Sequence, residues 1–284
     1  MLDLTNPSVV RGILDKNNFS FKKSLGQNFL IDSSVCPRMA DNAVPDNSYG
    51  AIEIGPGVGV LTAQLSKRAK KVVAIEIDER LKPILDTTLA EFDNTKVVFG
   101  DVCKLDLKKI IEDEFAGMPV VICANLPYYI TSPIIMSLLK SKLPVEALVV
   151  MVQKEAGERL AAPVGTREAG AVSVAVSYYS RPCRLFGVPK TSFLPSPKVD
   201  SEVIRLDVLK NPAVAVRDEK FFFRLVAAAF AQRRKTLANS VSSVMGISKS
   251  VIFEALSQLG LDASVRVEAL KMEQIAALSD ILCD

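Results

Sequence analysis

The stretch Tyr49-Gly50-Ala51-Ile52-Glu53-Ile54-Gly55-Pro56-Gly57-Val58-Gly59 decides the fold. Tyr49–Ile54 reads as a buried strand. The five residues after it hold three glycines, which let a backbone turn sharply and approach a ligand closely. Val60–Arg68 then reads as a helix. Strand, glycine-rich turn and helix together open a doubly wound α/β sheet, although the same residues also allow a plain tight connection. A dinucleotide fingerprint G-x-G-x-x-G would need glycine at position 60, and that position is Val60. The acidic residue ahead of the glycines is also unlike the nicotinamide pattern, so a nicotinamide-dependent oxidoreductase is disfavoured.

Outward from this turn the alternation continues. Lys71–Ile77 reads as a second strand and Glu79–Phe92 as a helix, with Pro83 in its first turn, where proline is tolerated. Lys96–Phe99 is a third strand and Val120–Ala124 a fourth. Ser132–Lys140 is a helix with Pro133 near its start, and Val145–Gln153 is a fifth strand. Strands alternating with helices predict a parallel, Rossmann-like sheet covered by helices on both faces. Glu155–Ala161 reads as helical. Ala171–Tyr179, apolar and β-branched, reads as a strand, as do Cys183–Val188 and Val199–Leu209; a late pair of strands is expected to form an antiparallel edge. Pro189–Val199 is an irregular loop with three prolines. From Asp218 the pattern is helical: Lys220–Ala231, Gln232–Ser243, Val251–Leu259, Arg266–Ala269 and Met272–Leu282. A boundary near Leu209–Val216 predicts a large α/β domain, 1–209, and a small all-helical domain, 210–284.

Composition narrows the function. The chain has 284 residues, 49% of them apolar, enough for one large or two unequal domains. No stretch approaches the roughly 18 uninterrupted apolar residues of a membrane span. Met1 to Ser20 lacks the layout of a secretory signal, so a soluble, cytoplasmic protein is expected. The five cysteines, Cys36, Cys103, Cys123, Cys183 and Cys283, form no C-x-x-C pair and are odd in number, which argues against a disulfide framework or a zinc site. The chain has no histidine, which removes Ser-His-Asp and Cys-His catalysis and histidine-ligated metals; no metal is expected. The net charge of +3 does not by itself indicate nucleic-acid binding.

Three acidic or glycine features fall at strand ends. Gly55 and Gly57 follow the first strand. Glu76 ends the second, where an acidic residue accepts from ribose hydroxyls in doubly wound folds; Asp78 is an alternative. Asp101, in Gly100-Asp101-Val102 after the third strand, can accept from an adenine amino group. Ligands bind at such carboxyl ends in open α/β sheets. After the fourth strand comes Asn125-Leu126-Pro127-Tyr128. An exocyclic adenine amine is a poor nucleophile because its lone pair is delocalised into the ring. The Asn125 side-chain oxygen and the Leu126 carbonyl can accept its two N–H bonds and hold the lone pair toward a methyl donor. Pro127 fixes the turn and adds no competing N–H. Tyr128 offers a ring for a splayed-out base. The transfer needs no strong base, because the alkylated nitrogen becomes acidic, and catalysis rests on positioning and on dipoles that stabilise developing charge.

Four segments carry a family resemblance: Ser24-Leu25-Gly26-Gln27-Asn28-Phe29-Leu30, the E-I-G-P-G-V-G motif from Glu53, A-N-L-P-Y from Ala124, and Phe193-Leu194-Pro195-Ser196-Pro197-Lys198-Val199-Asp200-Ser201. With Phe230-Ala231-Gln232-Arg233-Arg234-Lys235-Thr236-Leu237, they resemble the ribosomal RNA adenine dimethyltransferases, in order from about Phe21 to the C-terminus, and most closely the bacterial small-subunit (16S) enzymes. The resemblance implies a class I methyltransferase sheet with S-adenosylmethionine as cofactor. The cofactor would be contacted by Asn28 and Leu30, from an N-terminal segment 19–32, and by Gly55, Glu76, Asp101 and Asn125. It implies that Phe193 helps Tyr128 grip the target adenine. Taken alone, an aromatic in a proline-stiffened loop also reads as a plug over the core. The implied product is N6,N6-dimethyladenosine at two adjacent loop adenosines of 16S ribosomal RNA within an assembling small subunit, made by a monomer.

Lys22, Lys23, Arg233, Arg234 and Lys235 are the candidate RNA-binding cations, with Arg159, Arg167, Arg181, Arg184 and Lys190 in the second half of the large domain. Basic runs serve equally as solvated faces; clustering near a base-modifying site favours phosphate contact. Three rivals share part of this pattern. An amino methyltransferase of DNA would need a larger target-recognition domain. A large-subunit rRNA methyltransferase shares most motifs. A non-catalytic assembly or transcription factor would have little use for an intact Asn125, Tyr128 and Glu76.

Overall fold

The computed structural model describes residues 2–20, 28–127 and 130–283. The elements run α1 (Pro7–Lys16), β1 (Phe29–Leu30), α2 (Val35–Ala43), β2 (Gly50–Ile54), α3 (Val60–Ser66), β3 (Lys71–Glu76), α4 (Lys82–Thr88), β4 (Thr95–Phe99), α5 (Leu107–Phe115), β5 (Val120–Asn125), α6 (Thr131–Lys140) and β6 (Ala147–Gln153). They continue with α7 (Lys154–Leu160), α8 (Ala171–Tyr179), β7 (Ser180–Val188), β8 (Phe193–Leu194), β9 (Ser201–Val208), α9 (Glu219–Ala231), α10 (Leu237–Met245), α11 (Lys249–Gln258) and α12 (Met272–Leu282).

Seven strands form one sheet in the order β4-β3-β2-β5-β6-β9-β7. β2 pairs in parallel with β3 and β5, β3 with β4, and β5 with β6, while β9 runs antiparallel to β6. Every residue of β2 is buried, as are five of the six in β3 and in β5. A sheet buried on both faces explains why these strands are near-continuous apolar runs rather than alternating ones. Ile52, Ile75 and Ile122 are among its largest fully buried side chains, each contributing about 1.5–3 kcal/mol relative to exposure. β4 lies at one edge and is only half buried. Its Lys96 and the adjacent Lys71 meet Glu114 of α5, the kind of charged covering that discourages pairing with another chain.

Two sequence expectations are corrected. Ala171–Tyr179 is a helix, not a strand. It is buried along most of its length, so it shows no polar face, and periodicity cannot separate such a helix from a buried strand. Its start is fixed by side-chain bonding: Gly170 N–H donates to Ser173 Oγ (2.9 Å), which donates to the Arg159 carbonyl (2.6 Å). Gln232–Ser243 is not one helix. α9 ends at Ala231, a turn carries Arg233, Arg234 and Lys235, and α10 begins at Leu237 with Thr236 as its cap. Ser240 Oγ closes the break, accepting from Gln232 N–H (3.2 Å) and donating to the Ala228 carbonyl (2.6 Å).

The chain divides into two compact units, and the division is not the single cut near 209 expected from sequence. One unit comprises Met1–Gly157 with Cys183–Val208; the other comprises Glu158–Pro182 with Leu209–Asp284. The segment 158–182 clusters with the C-terminal helices because α8 carries Tyr178 and Tyr179 into contact with Phe222 and Phe223 of α9. Their ring centroids lie 4.9–5.6 Å apart, in the range where aromatic pairs add to simple burial. Tyr179 Oη also donates to Glu219.

Candidate active site

Parallel pairing fixes where the strands end. Ile54 sits beside Ile75 and Ala124, Glu76 beside Phe99, and Asn125 beside Met151. The carboxyl ends of β2, β3, β4 and β5 therefore open onto one cleft. The sheet order reverses direction between β2 and β5, the switch point at which such sheets bind ligands. One cavity there is lined by Asn28, Leu30, Gly55, Gly57, Glu76, Asp101, Asn125, Leu126, Pro127 and Phe193. Residues separated by more than 160 positions in sequence are thus brought to one wall.

The glycine turn has the conformation its composition requires. Gly55, Gly57 and Gly59 have φ of +74°, +59° and +91°. A Cβ at Gly57 would lie 3.1 Å from the Phe29 ring, and one at Gly55 would meet open space. The turn is thus tight against β1 at one glycine and open at the other.

Glu76 is 5% exposed. Its Oε1 accepts from Asp78 N–H (2.9 Å) and its Oε2 from Gly57 N–H (3.3 Å), so the carboxylate ties the glycine turn to the end of β3. Burial holds its pKa above the ordinary carboxylate value, against the pull of these N–H donors. Asp78 faces elsewhere. It accepts from Arg80 Nε (2.8 Å) and Nη2 (2.6 Å), and Arg80 donates from Nη1 to the Ser20 carbonyl (3.2 Å) and lies over the Phe19 ring. Asp78 anchors the N-terminal segment, while Glu76 lines the cavity. Asp101 is held by Cys103 N–H (3.0 Å) and keeps part of its carboxylate exposed.

Asn125 ends β5, and the turn after it is pinned on both sides. Leu126 N–H donates to the Met151 carbonyl (3.3 Å), and the Pro127 carbonyl accepts from Ile130 N–H (3.2 Å) and Thr131 Oγ1 (3.1 Å). Tyr128 lies outside the described residues, as do Lys22, Lys23 and Ser24–Gln27. Phe193 pairs with Leu30 across the antiparallel β1–β8 ribbon and is 3% exposed in the cavity wall. In the second unit, Arg233, Arg234 and Lys235 are exposed on the turn between α9 and α10, and Arg233 donates to the Arg167 carbonyl.

Several wall residues had no role in the sequence reading. Cys36 and Met39 come from α2, an element that reading did not identify. Ile77 follows Glu76 and is 56% exposed, an apolar side chain left uncovered at the cavity wall; its position just past a strand end was the available signal. Glu53, quoted only as part of the turn, is 1% exposed in the same wall. Burial, with Glu76 nearby, pushes its carboxyl up to about 8, against the pull of the Thr62 hydroxyl. Among the described residues, no cluster of three or more cysteine or acidic side chains is placed to hold a metal, and no helix is long and apolar enough to cross a membrane.

Known proteins share this architecture and sequence. The family model described as ribosomal RNA adenine dimethylase matches residues 18–284. A protein of Bacillus mycoides (strain KBAB4), named ribosomal RNA small subunit methyltransferase A, is 50% identical over 286 aligned positions, covering 99% of this chain and 98% of that protein. A solved structure of a dimethyladenosine transferase from Plasmodium falciparum superposes with a TM-score of 0.72 at 26% identity, over 88% of this chain and 96% of that one. The 23S rRNA methyltransferase ErmE superposes with a TM-score of 0.69 at 25% identity, over 90% and 100%. The sheet is that of the class I rRNA methyltransferases, and with a family model matched over nearly its whole length, the chain belongs to the ribosomal RNA adenine dimethylase family.

Proposed function

We infer that this chain transfers methyl groups from S-adenosylmethionine to the N6 amines of two adjacent adenosines in a loop of 16S ribosomal RNA, giving N6,N6-dimethyladenosine. The observation that carries this reading is the convergence of Glu76, Asp101 and Asn125 on one cavity, in a chain half identical to a small-subunit methyltransferase. The small-subunit assignment follows that near-full-length relative, whereas the large-subunit methyltransferase shares only the fold and a quarter of its residues.

The donor set fits the cofactor. Glu76 is a strand-end carboxylate suited to ribose hydroxyls, and Asp101 accepts from an adenine amine. Gly55 leaves open the space a Cβ would occupy, and Asn28, Leu30 and Gly57 complete the wall. When bound, S-adenosylmethionine supplies a methyl group on a sulfonium. The chain supplies position and dipoles. Asn125 Oδ1 and the Leu126 carbonyl accept the N–H bonds of the target amine, and the bonds to Met151, Ile130 and Thr131 hold that turn rigid. Rigid acceptors stabilise charge developing on nitrogen without reorganising. Tyr128 stacks on the flipped base, and Phe193 backs it from the β1–β8 ribbon. The proton lost from the alkylated nitrogen goes to solvent. Lys22, Lys23, Arg233, Arg234 and Lys235 bind RNA phosphates. The substrate is an assembling small subunit in the cytoplasm, and the chain acts on it as a monomer.

The test compares the parent chain with Asn125→Ala, on small and large ribosomal subunits lacking the modification, with labelled cofactor. The reading expects transfer to the small subunit alone, lost in Asn125→Ala while the variant still binds subunits. Label in the large subunit instead would reassign the substrate.

A further inference from the structure

Arg80 joins two stretches of chain that lie 60 positions apart. Its guanidinium donates to both oxygens of Asp78, from Nε (2.8 Å) and from Nη2 (2.6 Å), and from Nη1 to the Ser20 carbonyl (3.2 Å). The same group lies 4.8 Å from the centre of the Phe19 ring. Asp78 is buried, whereas Arg80 keeps 35% of its side chain exposed. An ion pair so open to solvent adds little to stability, so the geometry of the fork calls for another reason.

The elements on either side are held without Arg80. α1 enters the core through Val10 and Leu14, and Phe19 N–H donates to the Leu14 carbonyl (2.9 Å). Downstream, Phe29 and Leu30 pair with β8, Ile31 N–H donates to the Ser192 carbonyl (2.9 Å), and Ser192 Oγ donates to Asp32 (2.8 Å). β3 lies between β2 and β4 in the sheet. What Arg80 adds is a fixed place for the Phe19 ring and the Ser20 carbonyl relative to the end of β3. The contacts then close a circuit. The Phe19 and Phe29 rings lie 6.2 Å apart, and the Phe29 ring bounds Gly57. Gly57 N–H and Asp78 N–H both donate to Glu76, and Asp78 holds Arg80. The carboxylate of the cavity wall and the segment that leads to Asn28 and Leu30 are parts of this one circuit.

Resting on the proposed reading of Asn28, Leu30 and Glu76 as cofactor contacts, we propose that Arg80 is a positioning residue for S-adenosylmethionine binding. It acts through Phe19 and Ser20 to hold the start of the 19–32 segment against the end of β3 before the cofactor arrives, and it touches no reacting atom. Without the clasp, binding must order that stretch of chain at its own expense, and fixing even one backbone residue is worth roughly tenfold in affinity. The role requires arginine rather than any cation. A planar guanidinium can grip a carboxylate with two donors, reach a carbonyl with a third and lie on an aromatic face, whereas an ammonium is a single point of charge.

The experiment is calorimetric titration of the full chain with S-adenosylmethionine, for the parent, Arg80→Ala, Arg80→Lys, Phe19→Ala and the Arg80→Ala/Phe19→Ala double variant. Arg80→Ala is expected to bind about tenfold more weakly, and Arg80→Lys is expected not to restore parent affinity. Full rescue by lysine would overturn the proposal, because charge alone would then suffice; this variant and Phe19→Ala also keep the test independent of whether Arg80→Ala folds. If Arg80 and Phe19 act as one clasp, the double variant binds within about twofold of the weaker single variant, and multiplied losses would overturn that coupling. Steady-state methylation of unmodified small subunits supplies a readout that a purely structural role would not move. Arg80→Ala should raise the KM for S-adenosylmethionine while kcat at saturation stays within about threefold of the parent. A lower unfolding temperature with parent cofactor affinity would reduce Arg80 to a structural residue and overturn the proposal. A parent chain that fails to bind S-adenosylmethionine at all would instead overturn the functional reading beneath it.

Discussion

Replacing Gly57 by alanine tests how closely the glycine turn is fitted to its surroundings. Gly57 has φ +59°, the left-handed region, which costs an L-residue about 1–2 kcal/mol. The new Cβ would also sit 3.1 Å from two carbons of the Phe29 ring. Phe29 is 6% exposed and pairs through β1 with Leu194, so the ring has little room to retreat. Crowding of that kind adds roughly 1–3 kcal/mol. Gly55→Ala is the internal control: its φ of +74° imposes the same kind of backbone cost, yet its Cβ meets nothing within 4 Å. Denaturant unfolding of both variants should show Gly57→Ala less stable than Gly55→Ala by at least about 1 kcal/mol. Because Phe29 and Leu30 line the cavity, Gly57→Ala should also weaken S-adenosylmethionine binding about tenfold or more, the equivalent of about 1.4 kcal/mol. Equal stability of the two variants would refute the Phe29 contact as the cause, and parent-like cofactor affinity in Gly57→Ala would refute the coupling of turn and cavity.

Glu76→Ala removes a carboxylate that accepts from Gly57 and Asp78; calorimetry should show cofactor affinity lowered by more than about tenfold, and unchanged affinity would remove Glu76 from the ribose site. Phe193→Ala empties a nearly fully buried position and should cost about 3–5 kcal/mol in denaturant unfolding; a loss under about 1 kcal/mol would place the ring in solvent. Glu53 predicts a pH profile for the chain without cofactor. Its folded pKa, about 8, lies above the ordinary 4.5, so its contribution is fully present below about 4.5 and is lost as pH rises through 8. Parent stability should therefore fall across that window by on the order of a few kcal/mol, and the fall should be smaller in Glu53→Gln; matching profiles would show that Glu53 is not the titrating group.

The sheet was legible because its central strands are buried on both faces and so stand out as apolar runs. Once their parallel order was inferred, the placement of Gly55, Glu76, Asp101 and Asn125 at neighbouring strand ends followed from register. Other features were hidden for physical reasons. α8 has no polar face to betray a helical period. α2 carries Pro37 and three polar or charged residues among nine, which masks the face that sends Cys36 and Met39 to the cavity. α5 was readable and was overlooked: Leu107, Ile111 and Phe115 recur every four residues and are buried, beneath a run of charges. The grouping of 158–182 with the C-terminal helices depends on Tyr178 and Tyr179 meeting rings more than 40 positions away, which no local pattern encodes. The burial of Glu53 is likewise invisible in one dimension, because the groups that act on it, Thr62 and Glu76, arrive from α3 and β3.

The central claim is adenine dimethylation of small-subunit RNA. The most direct measurement is mass spectrometric nucleoside analysis of that RNA after incubating unmodified small subunits with the chain and S-adenosylmethionine. The account predicts N6,N6-dimethyladenosine at two adjacent positions of one loop. Unmodified adenosine, with the cofactor demonstrably bound to the chain, would contradict it.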